Sequence, residues 1–206
     1  RAAWRRVGRR PPAAAPRPGE INLAVPFTPQ APHGRWEQPY QDACEEASVA
    51  MVHYFFAKKK FTPDSADKEI LDLVSFEERR FGYGYDITAE ETANVVKNFY
   101  GYKNVEVIQN PTVDVIKSTL AKGLPVVAPV YGRALKNPYF TPPGPTYHML
   151  VIKGYTKDKF ITNDPGTKRG EDYLYSYEVM MDAIHDWNGG DVASGRKAII
   201  IIHPEK

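Results

Sequence analysis

Residues 42–56 read DACEEASVAMVHYFF and mark a change to helical periodicity after a loop-like stretch. Apolar or small side chains recur at intervals of three, four and four residues, at Cys44, Ala47, Met51 and Phe55. This spacing places them on one face of an amphipathic helix. Asp42 has the N-cap position and Glu45 follows three residues later, so we predict a capping box at the helix start. The first turn therefore contains Cys44, the only cysteine of the chain.

Helix and strand signals on both sides of this segment predict the fold class. Further helices are predicted at about 66–80, 89–99, 113–122 and 177–187, with Thr88 and Glu91 as a second capping box. Strands are predicted at about 21–26, 125–131, 148–155, 159–164 and 198–203. Most helices come first, and the later strands are joined by short turns. This order predicts an α+β fold, with a helical layer packed on a mostly antiparallel sheet.

Length and composition are those of one globular domain. The chain has 206 residues, of which 42% are hydrophobic and 25% are charged. Such a chain can bury a core without metal or disulfide staples. No apolar run approaches the roughly 18 residues of a membrane-spanning helix, and a single cysteine excludes an internal disulfide. We expect a monomer with one folded domain over residues 21–206.

The net charge of +2 hides two pieces of opposite sign. Residues 1–20 contain six arginines and one glutamate, a charge of +5, which leaves −3 for the rest of the chain. Four prolines among alanines prevent this tail from forming a helix or a strand. We interpret it as a disordered Arg/Pro-rich tail or linker in preference to a nucleic-acid-binding or membrane-binding segment, and we expect no nucleic-acid partner.

The position of Cys44 favours a reactive thiol. Unpaired backbone amides and the positive end of the helix dipole would lower the pKa of a thiol at a helix start, which makes it a better nucleophile. The competing interpretation is a small buried hydrophobic residue, the common fate of a free cysteine. A nucleophile also needs a base within hydrogen-bond reach and a group that orients this base.

Among five histidines, His148 has the context that a catalytic base needs. It opens a strongly apolar strand, and the next strand ends at Asn163 and Asp164 after a turn near residue 156. Opposed residues of an antiparallel hairpin share a constant sum, so a turn centred at 156 places His148 opposite Asp164. Imidazole and carboxylate are therefore predicted side by side. The alternative is a surface histidine and a turn-forming Asp-Pro-Gly.

Acyl transfer also needs donors for the oxyanion, and Gln38, six residues before Cys44, is the candidate that we favour. Gln41 is a competitor three residues closer. A zinc site is the disfavoured alternative, because one thiol and one histidine lack the paired ligand spacing of a structural zinc site. We predict neither a metal nor a cofactor.

The segment KNPYFTPPGPTYH, residues 136–148, is rich in proline and aromatic residues and leads directly into His148. It is either one wall of a peptide groove or a long surface connection. Trp36 presents the same choice between holding substrate and packing the loop before the helix. We take Trp36, Tyr147 and Glu46 as candidate substrate-binding residues.

Four short segments within residues 24–167 resemble those of papain-like cysteine peptidases and follow the same order along the chain. They are VPFTPQ, QPYQDACEEASVAM, YHMLVIKGY and TNDPGT. More narrowly, they resemble relatives of the double-glycine leader peptidases that process bacteriocins. The resemblance implies a papain-like fold, with Cys44 as nucleophile, His148 as general base, Asp164 as the residue that orients it, and Gln38 as oxyanion donor.

The resemblance implies a cysteine peptidase that hydrolyses a peptide or protein substrate. Exporter-linked members tend to have glycine after the cysteine, whereas Glu45 and Glu46 stand here, so a free-standing relative fits better than a leader peptidase. Such relatives are often bacterial and exported or tethered to the cell envelope, and we expect the same here, with a possible membrane tether in the precursor. The alternatives are a non-catalytic peptide-binding module of the same fold, and a transpeptidase or amidase with the same thiol chemistry.

Overall fold

The computed structural model describes residues 19–82 and 86–204. Seven strands form one antiparallel sheet in the order β2-β7-β3-β4-β5-β6, with β1 paired to β4 beside this path. The strands are β1 (Ile21–Asn22), β2 (Val105–Gln109), β3 (Val126–Tyr131), β4 (Tyr147–Tyr155), β5 (Lys159–Asn163), β6 (Tyr173–Ser176) and β7 (Ala198–Ile202). The predicted α+β fold with a mostly antiparallel sheet is confirmed.

Five α-helices accompany the sheet: α1 (Cys44–Phe56), α2 (Pro63–Phe81), α3 (Ala89–Tyr100), α4 (Val113–Leu120) and α5 (Tyr177–Ala183). Four of them begin after a hydroxyl side chain that accepts a hydrogen bond from an amide of the first turn. The predicted capping box of Thr88 and Glu91 is confirmed at α3. Predicted helix bounds hold within a few residues, except that α5 ends four residues early, before the segment that leads to β7.

The start of α1 differs from the prediction. Its N-cap is Ala43, with no side-chain cap, and Asp42 lies in a short 3-10 helix, Tyr40–Asp42. The predicted capping box of Asp42 and Glu45 is therefore wrong. The physical reason is that Glu45 turns into the protein instead of back along the helix, and its carboxylate contacts Cys44 and the backbone of Ile87.

The sheet separates two apolar cores. On β4, Met149 and Val151 pack with α1, α2 and α3, whereas Leu150 and Ile152 pack with α4 and α5. All four side chains are fully buried, as expected of a central strand that is covered on both faces. The predicted catalytic histidine, His148, is the second residue of this strand and is itself buried.

The hairpin of β4 and β5 contains a β-bulge. Near the turn the opposed pairs are Tyr155 with Phe160 and Gly154 with Ile161; beyond the bulge at residue 153 they are Ile152 with Thr162 and Val151 with Asn163. If the pairing beyond the bulge is continued past the end of β5, His148 lies opposite residue 166. The predicted direct opposition of His148 and Asp164 is therefore wrong by two residues. Two residues preserve the face of the sheet, and the two side chains are diagonal neighbours.

Two strands, β2 and β6, were not predicted, and β1 covers only two of the six predicted residues. Both missed strands are short and partly exposed, so their apolar signal is weak. The predicted tail, residues 1–20, lies outside the described residues except for its last two. Among the described residues, no helix is both long and apolar enough to cross a membrane.

Candidate active site

Cys44 is the first residue of α1, and its side chain is buried, with 3% of the residue exposed. The first amides of a helix have no partners within the helix, so they are available near the sulfur. The turn that delivers Cys44 is held by Gln30, whose Nε2 donates to the carbonyl oxygens of Tyr40 (3.0 Å) and Gln41 (2.9 Å). The approach to the helix is therefore fixed by a residue fourteen positions upstream.

His148 and Asp164 form a buried pair. Nε2 of His148 lies 2.8 Å from Oδ1 of Asp164, and the two residues are 1% and 0% exposed. The contact that the hairpin argument predicted is present, although through the diagonal arrangement. Because Nε2 faces the carboxylate, Nδ1 is the ring nitrogen that is left to exchange a proton with another group.

Three further groups hold Asp164. The hydroxyl of Tyr175 donates to Oδ2 at 2.6 Å, the amide of Gly166 donates to Oδ1 at 3.0 Å, and Nδ2 of Asn137 lies 3.3 Å from Oδ2. Burial alone would raise the pKa of Asp164, but the charge of His148 and the hydrogen bonds from His148, Tyr175 and the amide of Gly166 together lower it. Asp164 therefore stays ionised in the interior.

One cavity of about 570 Å³ connects the predicted residues. It is lined by Cys44, His148, Trp36, Tyr147, Gln30, Gln41, Asp42, Asp86, Phe140, Thr141, Gly144, Pro145, Thr146 and Gly166. The structure thus brings the thiol and the imidazole to a common space with both predicted aromatic residues. Part of the proline-rich segment, residues 140–148, forms a wall of this cavity, as one of its two interpretations predicted.

The electrostatics of Cys44 differ from the sequence-based expectation. Its thiol donates a hydrogen bond to Oε2 of Glu45 at 2.9 Å. Burial raises the pKa of Cys44 well above its ordinary value, and Glu45, Asp86 and Glu46 raise it further. The helix start was expected to lower this pKa, but the low-dielectric surroundings and three nearby carboxyl groups act in the opposite direction.

Glu46 lies away from the cavity. It is 1% exposed and faces Glu77 of α2, and burial followed by the charge of Glu77 raises its pKa well above the ordinary value. Burial and the charge of Glu45 raise the pKa of Glu77 to about 8. The structure therefore places Glu46, a predicted substrate-binding residue, in a buried carboxyl pair behind the helix, outside the set of residues that line the cavity.

Gln38 also lies outside that set. Its side chain is exposed, and Nε2 donates to Oδ2 of Asp42. Gln30 and Gln41 are the glutamines that line the cavity. Gln30 was not singled out from the sequence, although it ends the word VPFTPQ. Its place there, before a long loop leading to the cysteine, is the signal that could have identified it.

The sequence reasoning also missed Tyr175, Asn137 and Asp86, each of which comes from a different element or loop. Only the fold brings them to the histidine or the thiol. Among the described residues, no group of three or more histidine, cysteine, aspartate or glutamate side chains is arranged to hold a metal ion. A thiol, an imidazole backed by a carboxylate and free helix amides at one cavity are the groups that covalent acyl transfer requires.

Comparison with known proteins finds solved structures that are similar to this chain. A protein from Bacillus anthracis described as a C39-like peptidase shares the fold with a TM-score of 0.60 at 16% identity, over 91% of this chain and 99% of that one. Xylellain, a cysteine protease from Xylella fastidiosa, gives a TM-score of 0.47 at 17% identity, over 92% and 88% of the two chains. No curated protein matches the sequence.

The fold is thus the papain-like fold that the sequence resemblance implied. At the level of sequence, the model of the Peptidase C39-like family matches residues 22–190, which include Cys44, His148 and Asp164. This match spans most of the described structure, from β1 to the loop after α5. The chain belongs to the Peptidase C39-like family.

Proposed function

We propose that the protein is a cysteine peptidase that hydrolyses peptide bonds with Cys44 as nucleophile, His148 as general base and acid, and Asp164 as the residue that orients the imidazole. The observation that carries this proposal is the buried His148–Asp164 pair on the same cavity as a thiol at a helix start. A histidine that is oriented by an ionised carboxylate has the form of the base in a catalytic triad.

The reaction follows from the free ring nitrogen. The thiol proton passes to Nδ1 of His148, and the sulfur then forms a bond to the carbonyl carbon while the carbonyl π electrons move to oxygen. The C–N bond breaks as the imidazolium returns the proton to the leaving amine. Water next attacks the thioester, His148 takes its proton, and the acid product leaves as the thiol is restored.

Activation requires the thiol to leave Glu45. In the resting arrangement the sulfur donates to Glu45, so ionisation toward His148 exchanges one hydrogen bond for another. Cys44 and His148 line the same cavity, and we propose that rotation about the Cα–Cβ bond of Cys44 makes this exchange. The raised pKa of the thiol indicates that the ion pair forms less readily in the empty site than in a site whose surroundings carry no negative charge.

The oxyanion would be held first by the amides at the start of α1. Gln38, the donor favoured by the sequence, would have to release Asp42 and turn inward. Gln30 already lines the cavity, but both hydrogens of its Nε2 point at backbone carbonyls. We propose that one glutamine supplies the second donor, and parallel Gln38→Ala and Gln30→Ala variants would identify it by the larger loss of kcat.

The raised thiol pKa also favours a second candidate, a peptide-binding module that retains the fold without turnover. Such a module would bind peptides in the same cavity while Cys44 stays protonated on Glu45. The peptide or protein substrate, the monomeric state, the possible membrane tether and location at or beyond the bacterial envelope stay predictions from the sequence.

The pH dependence of Cys44 alkylation by iodoacetamide tests the proposal without a known substrate. Cys44 is the only cysteine, so the incorporated mass reports on this thiol alone. We expect the reactivity at neutral pH to fall at least about tenfold in His148→Ala, because the proton acceptor is lost. His33→Ala is the matched control, since His33 is exposed and outside the cavity. Equal reactivity in all three proteins would favour the binding module.

A further inference from the structure

The charges of the catalytic cavity are unbalanced. Asp42 and Asp86 line it, and the described lining residues include no lysine or arginine. Asp42 ends the short 3-10 helix before Cys44, and Asp86 precedes α3. A Cys44–His148 ion pair is neutral as a whole, so the two carboxylates leave a net negative cleft when the site is ready to react.

The backbone directly after Asp86 is held from two sides. The amide of the next residue, Ile87, donates to Oε1 of Glu45 at 3.2 Å, and the carbonyl oxygen of Ile87 accepts from the hydroxyl of Tyr147 at 2.9 Å. Ile87 is itself fully buried. The backbone next to Asp86 is therefore anchored to α1 and to β4, and Asp86 itself lines the cavity.

These carboxylates oppose ionisation of the Cys44 thiol. Asp86 adds to the causes that raise the pKa of Cys44. Burial and the nearby charge of Asp42 also raise the pKa of Asp86 to about 6, an effect that His148 partly offsets. Two neighbouring carboxylates disfavour ionisation of the thiol to a thiolate, unless a bound cation offsets their negative charge.

The other groups of the cavity suit a cation as well. Gln30 is 4% exposed, and its Oε1 is a buried acceptor without a hydrogen-bond partner among the described residues. Trp36 is 36% exposed on the same cavity and offers an aromatic face. Arg133, a nearby cation, lines a neighbouring cavity and donates to the carbonyl of Gly144 instead.

We propose that the cavity selects peptides that carry a lysine or arginine side chain next to the scissile bond, with Asp86 as the principal contact and Asp42 as the second. This inference rests on the proposed peptidase function and names its substrate class. Binding of the cation has a second effect by linkage: a positive charge beside Asp86 favours the Cys44 thiolate, so the correct substrate promotes formation of the nucleophile.

Peptidyl chloromethyl ketones test the proposal, because alkylation by them forms an S–C bond to Cys44 and releases chloride in a single turnover. Two probes differ only at the residue next to the reactive carbon, which is lysine in one and norleucine, its uncharged analogue, in the other. The second-order rate of labelling is measured by mass spectrometry for the wild type, Asp86→Asn, Asp42→Asn and Glu178→Gln. Glu178 is an exposed acid on α5, outside the cavity, and controls for net charge.

We expect the wild type to react roughly tenfold faster with the lysine probe at pH 7.5, the ratio typical of one charge-assisted hydrogen bond. The ratio should fall toward one in Asp86→Asn, fall less in Asp42→Asn and stay unchanged in Glu178→Gln. It should also fall in the wild type as the pH drops below about 6, where Asp86 takes up a proton.

Equal rates for the two probes in the wild type, or a ratio that survives in Asp86→Asn, would overturn the inference while the peptidase proposal stands. If neither probe labels Cys44 although iodoacetamide does, the peptide does not reach the thiol in a reactive pose. That outcome overturns the peptidase proposal and, with it, the inference that rests on it.

Discussion

Two buried carboxyl groups lie beside the proposed base and the proposed nucleophile, and their surroundings are opposite. Asp164 contacts a histidine, a tyrosine hydroxyl and a backbone amide, and these partners lower its pKa despite complete burial. Glu45 contacts a thiol and one amide and lies near Glu46 and Asp86, and burial with these charges raises its pKa well above the ordinary value.

Burial alone therefore does not decide the charge of either group. The number of donors and the sign of neighbouring charges decide it. The Asp164 side of the site is prepared for a positive imidazolium, whereas the Glu45 side holds protons and keeps the thiol neutral. The two sides of the proposed site therefore favour opposite states, a charged imidazole beside Asp164 and a neutral thiol beside Glu45.

Removal of the thiol, which lies between the two carboxyl environments, should have the largest effect. Cys44→Ala should abolish peptide cleavage, a loss of about 10⁴-fold or more, because no other residue provides the sulfur nucleophile. The fold should be retained, since alanine favours the helical conformation and is smaller than the cysteine that it replaces at the first position of α1. Cleavage of a peptide library checked by mass spectrometry measures the loss, with circular dichroism as the control for folding. Residual cleavage at the wild-type rate would refute the assigned nucleophile.

Asp164→Asn tests the donor-rich side. The amide keeps the shape but removes the charge that stabilises the imidazolium, so we expect kcat to fall by roughly 10²-fold with some activity left. Tyr175→Phe is the matched control, because it removes one donor to Asp164 and retains the carboxylate. It should cost no more than about 1.5 kcal/mol in the free energy of unfolding and only a few-fold in kcat. A larger loss of kcat in Tyr175→Phe than in Asp164→Asn would contradict the assigned role of the carboxylate.

Glu45→Gln tests the proton-holding side. The amide can still accept from Ile87 and can turn an N–H toward the sulfur, where the carboxyl group now accepts. We expect the pKa of Cys44 to fall, and the rate of iodoacetamide labelling at pH 7 to rise about three- to tenfold. The pH profile of labelling separates this from general loosening, which would raise the rate without a shift of the midpoint. An unchanged midpoint would show that Glu45 does not control the thiol.

The smallest predicted effect is on the pH dependence of stability, which has opposite signs for Glu77 and for Asp164. The pKa of Glu77 is raised to about 8, above its unfolded value, so the stability from this group is present at low pH and is lost as the pH rises toward 8. The pKa of Asp164 is lowered, so its contribution is present above the unfolded value near 4 and is lost in acid. Glu77→Gln should reduce the loss of stability between pH 5 and 8 by on the order of 2 kcal/mol.

Urea unfolding at several pH values measures this difference, with Glu178→Gln as the exposed control. Equal slopes of stability against pH in Glu77→Gln and the wild type would mean that the buried carboxyl pair does not govern this range.

Local patterns in the sequence were sufficient for much of the fold and for the central residues of the site. Helical periodicity located α1 and placed Cys44 in its first turn, and the apolar run 148–155 identified β4, which begins one residue before His148. These features depend on neighbours within a few residues, so a sequence displays them directly. The predicted cap at Asp42 is wrong because the side chain of Glu45 contacts Cys44 and the backbone of Ile87 instead. Ile87 is 42 residues away in the sequence, so a local pattern does not reveal this contact.

The amino-acid sequence alone was enough to predict five helices and five strands, and to place Cys44 at a helix start, His148 at a strand start and Asp164 at the end of the next strand. The way in which these residues meet depends on the three-dimensional fold. The register near the turn would place His148 and Asp164 on opposite faces of the sheet, and the single extra residue of the bulge at residue 153 restores them to the same face.

The tertiary structure also brought Gln30 and Asp86 to the cavity, left Gln38 and Glu46 outside it, and turned Glu45 toward the sulfur. The physical reason is common to these cases. Contacts between distant segments depend on strand register, on packing and on the cost of burying charge, and each of these is set by the whole fold and not by the local pattern around any one residue.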